Sequence, residues 1–265
     1  MARSPARRIA TIAGVLLAVW IVFLVILGAA LGGRYQSGVA ERLGESLHGE
    51  SSVGDADLAL VRGRLDLDDL RVRRDDAIGK LSLDVGDVRC ELRAFGGALF
   101  DRTCQELRVS HVRLEISTTA LFRVHRPKRP PMHADSVVIE DAVLVFTPSA
   151  LVPTFGQMQI AIEHAQSGPT TFKTPLSWLL SLQALRAAID LPGGLKIQLE
   201  YRNGILTAAG SLFGSDPVAL PIALPIADAA DDGQAEMKKI TKLGKDLAER
   251  VLAQRAQDWL KQKLR

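Results

Sequence analysis

The chain is poor in aromatic residues, has only two cysteines, and shows no surplus of charge once its first residues are set aside. Aromatics make up 5% of 265 residues, and 33 Lys and Arg face 30 Asp and Glu. Arg3, Arg7 and Arg8 account for the whole formal charge of +3. A nucleic-acid binder clusters basic residues on one surface, commonly with aromatics among them; this balance argues against that class, and no nucleic-acid partner is expected. Two cysteines exclude a cysteine-rich scaffold and a four-thiolate zinc site. A metalloprotease helix, a phosphate-binding loop and a dinucleotide fingerprint are all missing. Gly44-Glu45-Ser46-Leu47-His48-Gly49 departs from a serine nucleophile elbow, which needs glycine where His48 stands. His48, His111, His125, His133 and His164 are scattered and do not suggest three or four converging donors. Asp66, Asp68 and Asp69 lack the glycine and final glutamate of a calcium loop and read as solvated strand residues before a bend. The expectation is a non-enzyme with no metal and no cofactor.

Ile9 to Leu31 is a run of 23 residues without a charge. As a helix it spans roughly 34 Å, enough for a hydrocarbon core about 30 Å thick. Three arginines precede it and Arg34 follows, which favours the N-terminus on the inner side. The alternative is a cleaved signal peptide. Its apolar region is normally shorter, although Ala29-Ala30-Leu31-Gly32-Gly33 offers small residues to a peptidase. Arg outnumbers Lys 23 to 10, which suits a GC-rich bacterial genome. The expected organisation is a cytoplasmic tip and transmembrane anchor (1–33), a periplasmic β-rich domain (34–230) and a C-terminal basic amphipathic helix (231–265), in the bacterial inner membrane with a single pass. An apolar content of 47% excludes wholesale disorder of that domain.

Past the anchor, Val39 to Leu47 is a short helix candidate and Gly49–Asp55 a loop. Period-two alternation follows. Leu65, Leu67, Leu70 and Val72 form one block; Leu83, Val85, Val88, Cys90 and Leu92 a second; Leu107, Val109, Val112, Leu114 and Ile116 a third; Val137, Ile139, Ala142, Leu144 and Phe146 a fourth. Each block reads apolar-x-apolar-x-x-apolar-x-apolar. The extra residue falls at Asp68-Asp69, Gly86-Asp87, Ser110-His111 and Glu140-Asp141. One inserted residue flips all later side chains to the other face, so a bulge or tight bend is expected at each of these points. The result is a loose repeat of bent strands, aliphatic on one face and charged on the other.

An oxidising compartment permits a Cys90–Cys104 disulfide. Gly96-Gly97 lies between the two, so a hairpin can join them; two buried free thiols are the other reading. Pro175 to Ile189 is read as a helix, and Ile197–Ala208 as a hairpin about a type I′ Asn203-Gly204 turn. Ala120–Met132, with Pro127, Pro130 and Pro131, is read as a linker interrupting the sheet. Asp216–Pro225 carries three prolines and suits an edge strand. From Met237 on, nine basic residues face three acids, and Lys242, Leu247, Val251, Trp259 and Leu260 belong to a helix that packs on the sheet, lies on an anionic membrane, or binds a partner helix.

A basic flank, one anchor, and then Leu60-Val61-Arg62-Gly63-Arg64-Leu65-Asp66-Leu67-Asp68-Asp69-Leu70-Arg71-Val72 resembles the start of AsmA-like envelope proteins. Ser110–Ile116 and Ile139–Phe146 resemble that family's strand rhythm too. The resemblance covers about residues 1–146 and, more faintly, 195–225. The N protein of type II secretion systems is similar almost as well. What the AsmA resemblance implies is a long curved sheet with an apolar groove at the inner membrane, engaged in phospholipid traffic or outer-membrane homeostasis. The chain departs from that family in being short and in carrying the basic C-terminal helix. The fold class expected is α+β, mainly antiparallel. The groove candidates are Leu65, Leu67, Val85, Val88, Val109, Val112, Leu114, Ile139 and Leu144. An ordinary sealed core built from the same residues is the competing reading, and an envelope assembly factor that docks a protein partner is the competing function.

Overall fold

The computed structural model describes residues 5–76, 79–94, 103–117, 132–148, 156–172, 177–210 and 217–222, with the single positions Lys242, Glu249 and Ala253. In chain order the elements are α1 (Pro5–Leu47), β1 (Glu50–Ser52), β2 (Asp55–Ala59), β3 (Arg64–Asp76), β4 (Gly79–Glu91), β5 (Thr103–Ser117), β6 (Met132–Thr147), β7 (Met158–Ser167), β8 (Thr170–Phe172), a 3₁₀ turn (Ser177–Ser181), β9 (Leu182–Leu191), β10 (Leu195–Arg202), β11 (Ile205–Gly210) and β12 (Val218–Pro221). All the described strands join one open sheet in the order β1-β3-β4-β5-β6-β7-β9-β10-β11-β12, with β2 also on β3 and β8 also on β6. Every pairing among the described strands is antiparallel except β5 with β6.

The strands bend where the alternation slips. Asp68 pairs with Asp87 and Leu70 with Val85, which leaves Asp69 opposite Gly86. The same step puts His111 opposite Gly86, Asp141 opposite His111, and Glu163 opposite Asp141. Asp69, His111 and Asp141 all have φ between 52° and 54°, the left-handed region that costs most residues and that Asp tolerates through local hydrogen bonding. One extra residue per strand is thus accommodated in line across β3 to β7. The line ends at β9, where Ile162 and His164 face consecutive residues Ala187 and Arg186 and a true bulge results.

Three sequence expectations are corrected. Pro175–Ile189 is not a helix: a 3₁₀ turn leads into strand β9. Leu185, Ala187 and Ile189 also obey period two, and pairing with Ala165, Ile162 and Ile160 overrides the helical propensity of Leu and Ala. Val39–Leu47 is not a separate helix, because α1 runs unbroken from Pro5 to Leu47 and the boundary at residue 33 falls inside it. Gly32 does not stop the helix; a Cβ there would lie 2.9 Å from the Ala56 carbonyl oxygen, so glycine serves close packing. Gly49–Asp55 is not wholly loop, since Glu50–Ser52 forms β1 on β3.

The Asn203-Gly204 turn is as expected: both residues have positive φ and Arg202 faces Ile205. Val218–Pro221 is an edge strand. Lys242 is helical and exposed, whereas the linker before Met132 and Leu247, Val251, Trp259 and Leu260 lie outside the described residues. If the left-handed line sets the strand phase, His111→Gly is neutral or stabilising while His111→Val costs about 1–2 kcal/mol; chemical unfolding of the two variants measures this, and equal effects would contradict it.

Candidate functional site

The register stacks the apolar residues into rows that run across the strands. Leu67, Val88, Val109, Ile139, Ala165 and Leu185 form one row. Leu70, Val85, Val112, Ala142, Ile162 and Ala187 form the next, beyond the bend. A third holds Val72, Leu83, Leu114, Leu144, Ile160, Ile189 and Ile197. All nine groove candidates fall on this face. The fifth strand of the pattern, Ile160-x-Ile162-x-x-Ala165-x-Ser167, is faint in the sequence, because Ala165 and Ser167 replace large aliphatics and weaken its rhythm.

Burial grades along the face. Near the lower ends of the strands, Cys90, Leu107, Val137 and Leu182 are buried, with Trp178 of the 3₁₀ turn in their cluster. The sulfurs of Cys90 and Cys104 are bonded there, with Cα atoms 5.5 Å apart between the end of β4 and the start of β5. At the β1–β3 side, Val39, Ala40, Leu43 and Leu47 of α1 pack on Val53, Leu67, Leu70 and Val72. Between those covers the face is only half-buried: Leu83, Leu114, Leu144, Ile160, Ile189 and Ile197 all keep part of their surface open. At about 4.8 Å per strand this aliphatic band extends ~24 Å. Of the candidates, Leu67 and Val85 are buried, whereas Leu65, Val88, Val109, Val112, Leu114, Ile139 and Leu144 are half-buried.

Among the described residues one charged side chain is buried, and it stands on the apolar face. Arg74 follows Leu70 and Val72 in phase, pairs across to Leu81, and is 7% exposed. Its Nη1 donates to the Leu47 carbonyl at 2.7 Å, closing the C-terminal end of α1, where a cation is favoured. Its Nη2 is buried with no hydrogen-bond partner among the described residues. The phase count that marks Leu70 and Val72 also marks Arg74, so the sequence did carry this signal.

The opposite face is mainly polar, although Val138 and Val145 of β6 fall on it and are buried. Arg73 meets Asp84 at 2.6 Å, Asp66 meets Arg64 at 2.6 Å and Arg89 at 2.9 Å, and Arg113 meets Glu115 at 2.8 Å. Such exposed pairs contribute little each. Along the bend line His111 Nδ1 lies 3.0 Å from Asp87, and His164 Nδ1 is 4.0 Å from Glu140. Asp68 sits among carboxylates: loss of water around it, then Asp87, Asp66, Asp55 and Asp69, hold it above the usual carboxylate range. No group of three or more His, Cys, Asp and Glu is placed to hold a metal among the described residues. The hydroxyls of Ser167, Thr170 and Ser181 bond to one another and to backbone. None is paired with a base in these bonds, so they make a structural knot at the β7–β8 turn.

No protein-family model matches the chain, and no curated protein matches it. The class defined by the structure is a large open, mainly antiparallel sheet with a half-covered aliphatic face, joined to a helix long and apolar enough to cross a membrane.

Two outcomes follow. If the band around Leu144 is open, Leu144→Asn costs about 1 kcal/mol while Val72→Asn at a fully buried site costs several; urea unfolding followed by circular dichroism compares them, and equal large losses would mean a sealed core. Because folding raises the Asp68 pKa, its contribution is present below about pH 3.9 and is lost as pH rises through its folded value. Asp68→Asn accordingly raises the thermal midpoint near neutral pH and leaves it unchanged in acid; a gain that persists in acid would contradict this origin.

Proposed function

We infer that the protein is a membrane-anchored, non-catalytic lipid-binding protein of the bacterial envelope. Its apolar sheet face acts as a curved groove for acyl chains and assists lipid transfer in envelope biogenesis, in keeping with the resemblance to AsmA-like proteins. The observation that supports it is the half-exposed band from Leu83 to Ile197, an aliphatic surface broad enough for an acyl chain. The backbone groups beneath it are paired in the sheet ladder, so a chain lying on it buries no orphaned donor. Burying ten methylenes is worth roughly 8 kcal/mol before the entropy of ordering the chain.

In this reading α1 is a single-pass anchor in the inner membrane, with its N-terminus cytoplasmic and the sheet in the periplasm, where the Cys90–Cys104 bond is stable. An assembly factor that recruits a protein by adding a strand is less well supported. The terminal strand is flanked by Pro217 and ends in Pro221, which cannot donate to a new neighbour.

A photoreactive amino acid placed at Val112, Leu114 or Leu144 of the full chain tests the groove in native membranes. Irradiation is expected to attach phosphorus-labelled phospholipid at these positions and not at Arg113 on the polar face. Absence of label at all three positions in folded protein would exclude a lipid groove.

A further inference from the structure

We propose that the β2–β3 tip, centred on Leu60 and Val61, is itself inserted in the membrane leaflet on the sheet's side, so that the domain rests in the bilayer and is not merely tethered to it. This rests on the reading of α1 as the membrane anchor and is independent of the lipid groove.

The argument begins with what α1 touches. Leu24 is fully buried and packs with Leu58 and Leu60, and Leu27, Leu31 and Val61 join the same cluster. A Cβ at Gly28 would lie 2.4 Å from the Leu58 carbonyl oxygen, and one at Gly32 would lie 2.9 Å from that of Ala56. The glycine pair therefore lets β2 lie against the helix backbone. Ala56 is level with Gly32 and Leu58 with Gly28, so β2 runs down the helix toward its N-terminus and its turn reaches the level of Leu24.

Leu24, Gly28 and Leu31 belong to the same uncharged stretch, Ile9–Leu31, that makes α1 a membrane span. Were the helix to leave the bilayer before Leu24, only about 15 uncharged residues would remain inside, or ~22 Å against a core of ~30 Å. Drawing Arg7 and Arg8 inward to make up the difference is costly. The tip packed on Leu24 must then share the depth of Leu24.

The outer surface of the helix agrees. At the level where β2 covers one side, Val25 and Ile26 on the other side are 59% and 64% exposed. A turn nearer the N-terminus, Val22 and Phe23 are 57% and 48% exposed. Six large apolar side chains between Val19 and Ile26 thus lack protein cover, a surface suited to lipid and not to water. Arg62 and Arg93, both exposed at this same end, have side chains long enough to carry their charges from the tip back toward the anionic headgroup zone.

The test uses the full chain in vesicles of phosphatidylcholine and phosphatidylglycerol, with a polarity-sensitive fluorophore on a single introduced cysteine. The native cysteines are bonded to each other and do not compete. Val61→Cys reports on the tip, Arg62→Cys gives a second reading beside it, Phe23→Cys marks the anchor, and Ile205→Cys marks the distant hairpin. The expected result is blue-shifted emission at Val61 and Phe23, with loss of intensity when the phosphatidylcholine carries a spin label on its acyl chain, and no loss at Ile205. Water-like, unquenched emission at Val61 and Arg62 with quenching at Phe23 would overturn the proposal while leaving the anchor in place. Unquenched emission at Phe23 as well would overturn both.

Discussion

A period-two strand tolerates an extra residue only if its neighbours make room at the same place. That constraint organises the molecule. Asp69, Gly86, His111, Asp141 and Glu163 lie opposite one another across five strands. With the extra residue absorbed there, the side chains on both sides of the line return to one face. Leu67 and Leu70, an odd number of residues apart, thereby point the same way. Without the shared step each strand would put half of its aliphatics among the Asp–Arg pairs of the polar face.

The single-layer design follows from this phase. Every described strand pairs into one sheet, so among the described residues no second sheet covers the apolar side. Cover comes locally, from α1 over β3 and from Trp178 over the strand ends near the disulfide. The middle of the face relies on large side chains packed side by side, and they remain half in solvent. An aliphatic surface in that condition is stabilised by whatever apolar material lies on it, and acyl chains meet that need without hydrogen-bonding demands. The buried charge on the face, Arg74, is placed at its edge and holds the helix end.

The helix and the sheet are not separable modules. The same apolar run that suits a bilayer supplies Leu24, Gly28 and Leu31 to the packing of β2. The C-terminal half of α1 is held in turn by Gln36 donating to the Val53 carbonyl at 2.7 Å, by Ser51 donating to that of Ala40, and by Arg74. A fragment cut at residue 34 removes Leu24, Gly28 and Leu31 and leaves Leu58 and Leu60 uncovered. Helix and sheet are therefore coupled through contact, not only through the chain.

Much of this was written in the residue order. Alternation marked four of the long strands and the place of their bends, because side-chain phase is a property of the backbone and needs no partner. Asn203-Gly204 marked its hairpin, because few residues accept positive φ twice in succession. The uncharged run marked a helix of membrane length. Tertiary structure decided what depends on neighbours. Leu182–Leu191 became a strand, against its helical composition, because β7 and β10 offered it a ladder on both edges. The parallel pairing of β5 with β6 is invisible in either strand alone. Which aliphatics stayed half-open, and that α1 passes Gly28 and Gly32 directly along β2, were set by packing between segments far apart in sequence, where local propensity carries no information.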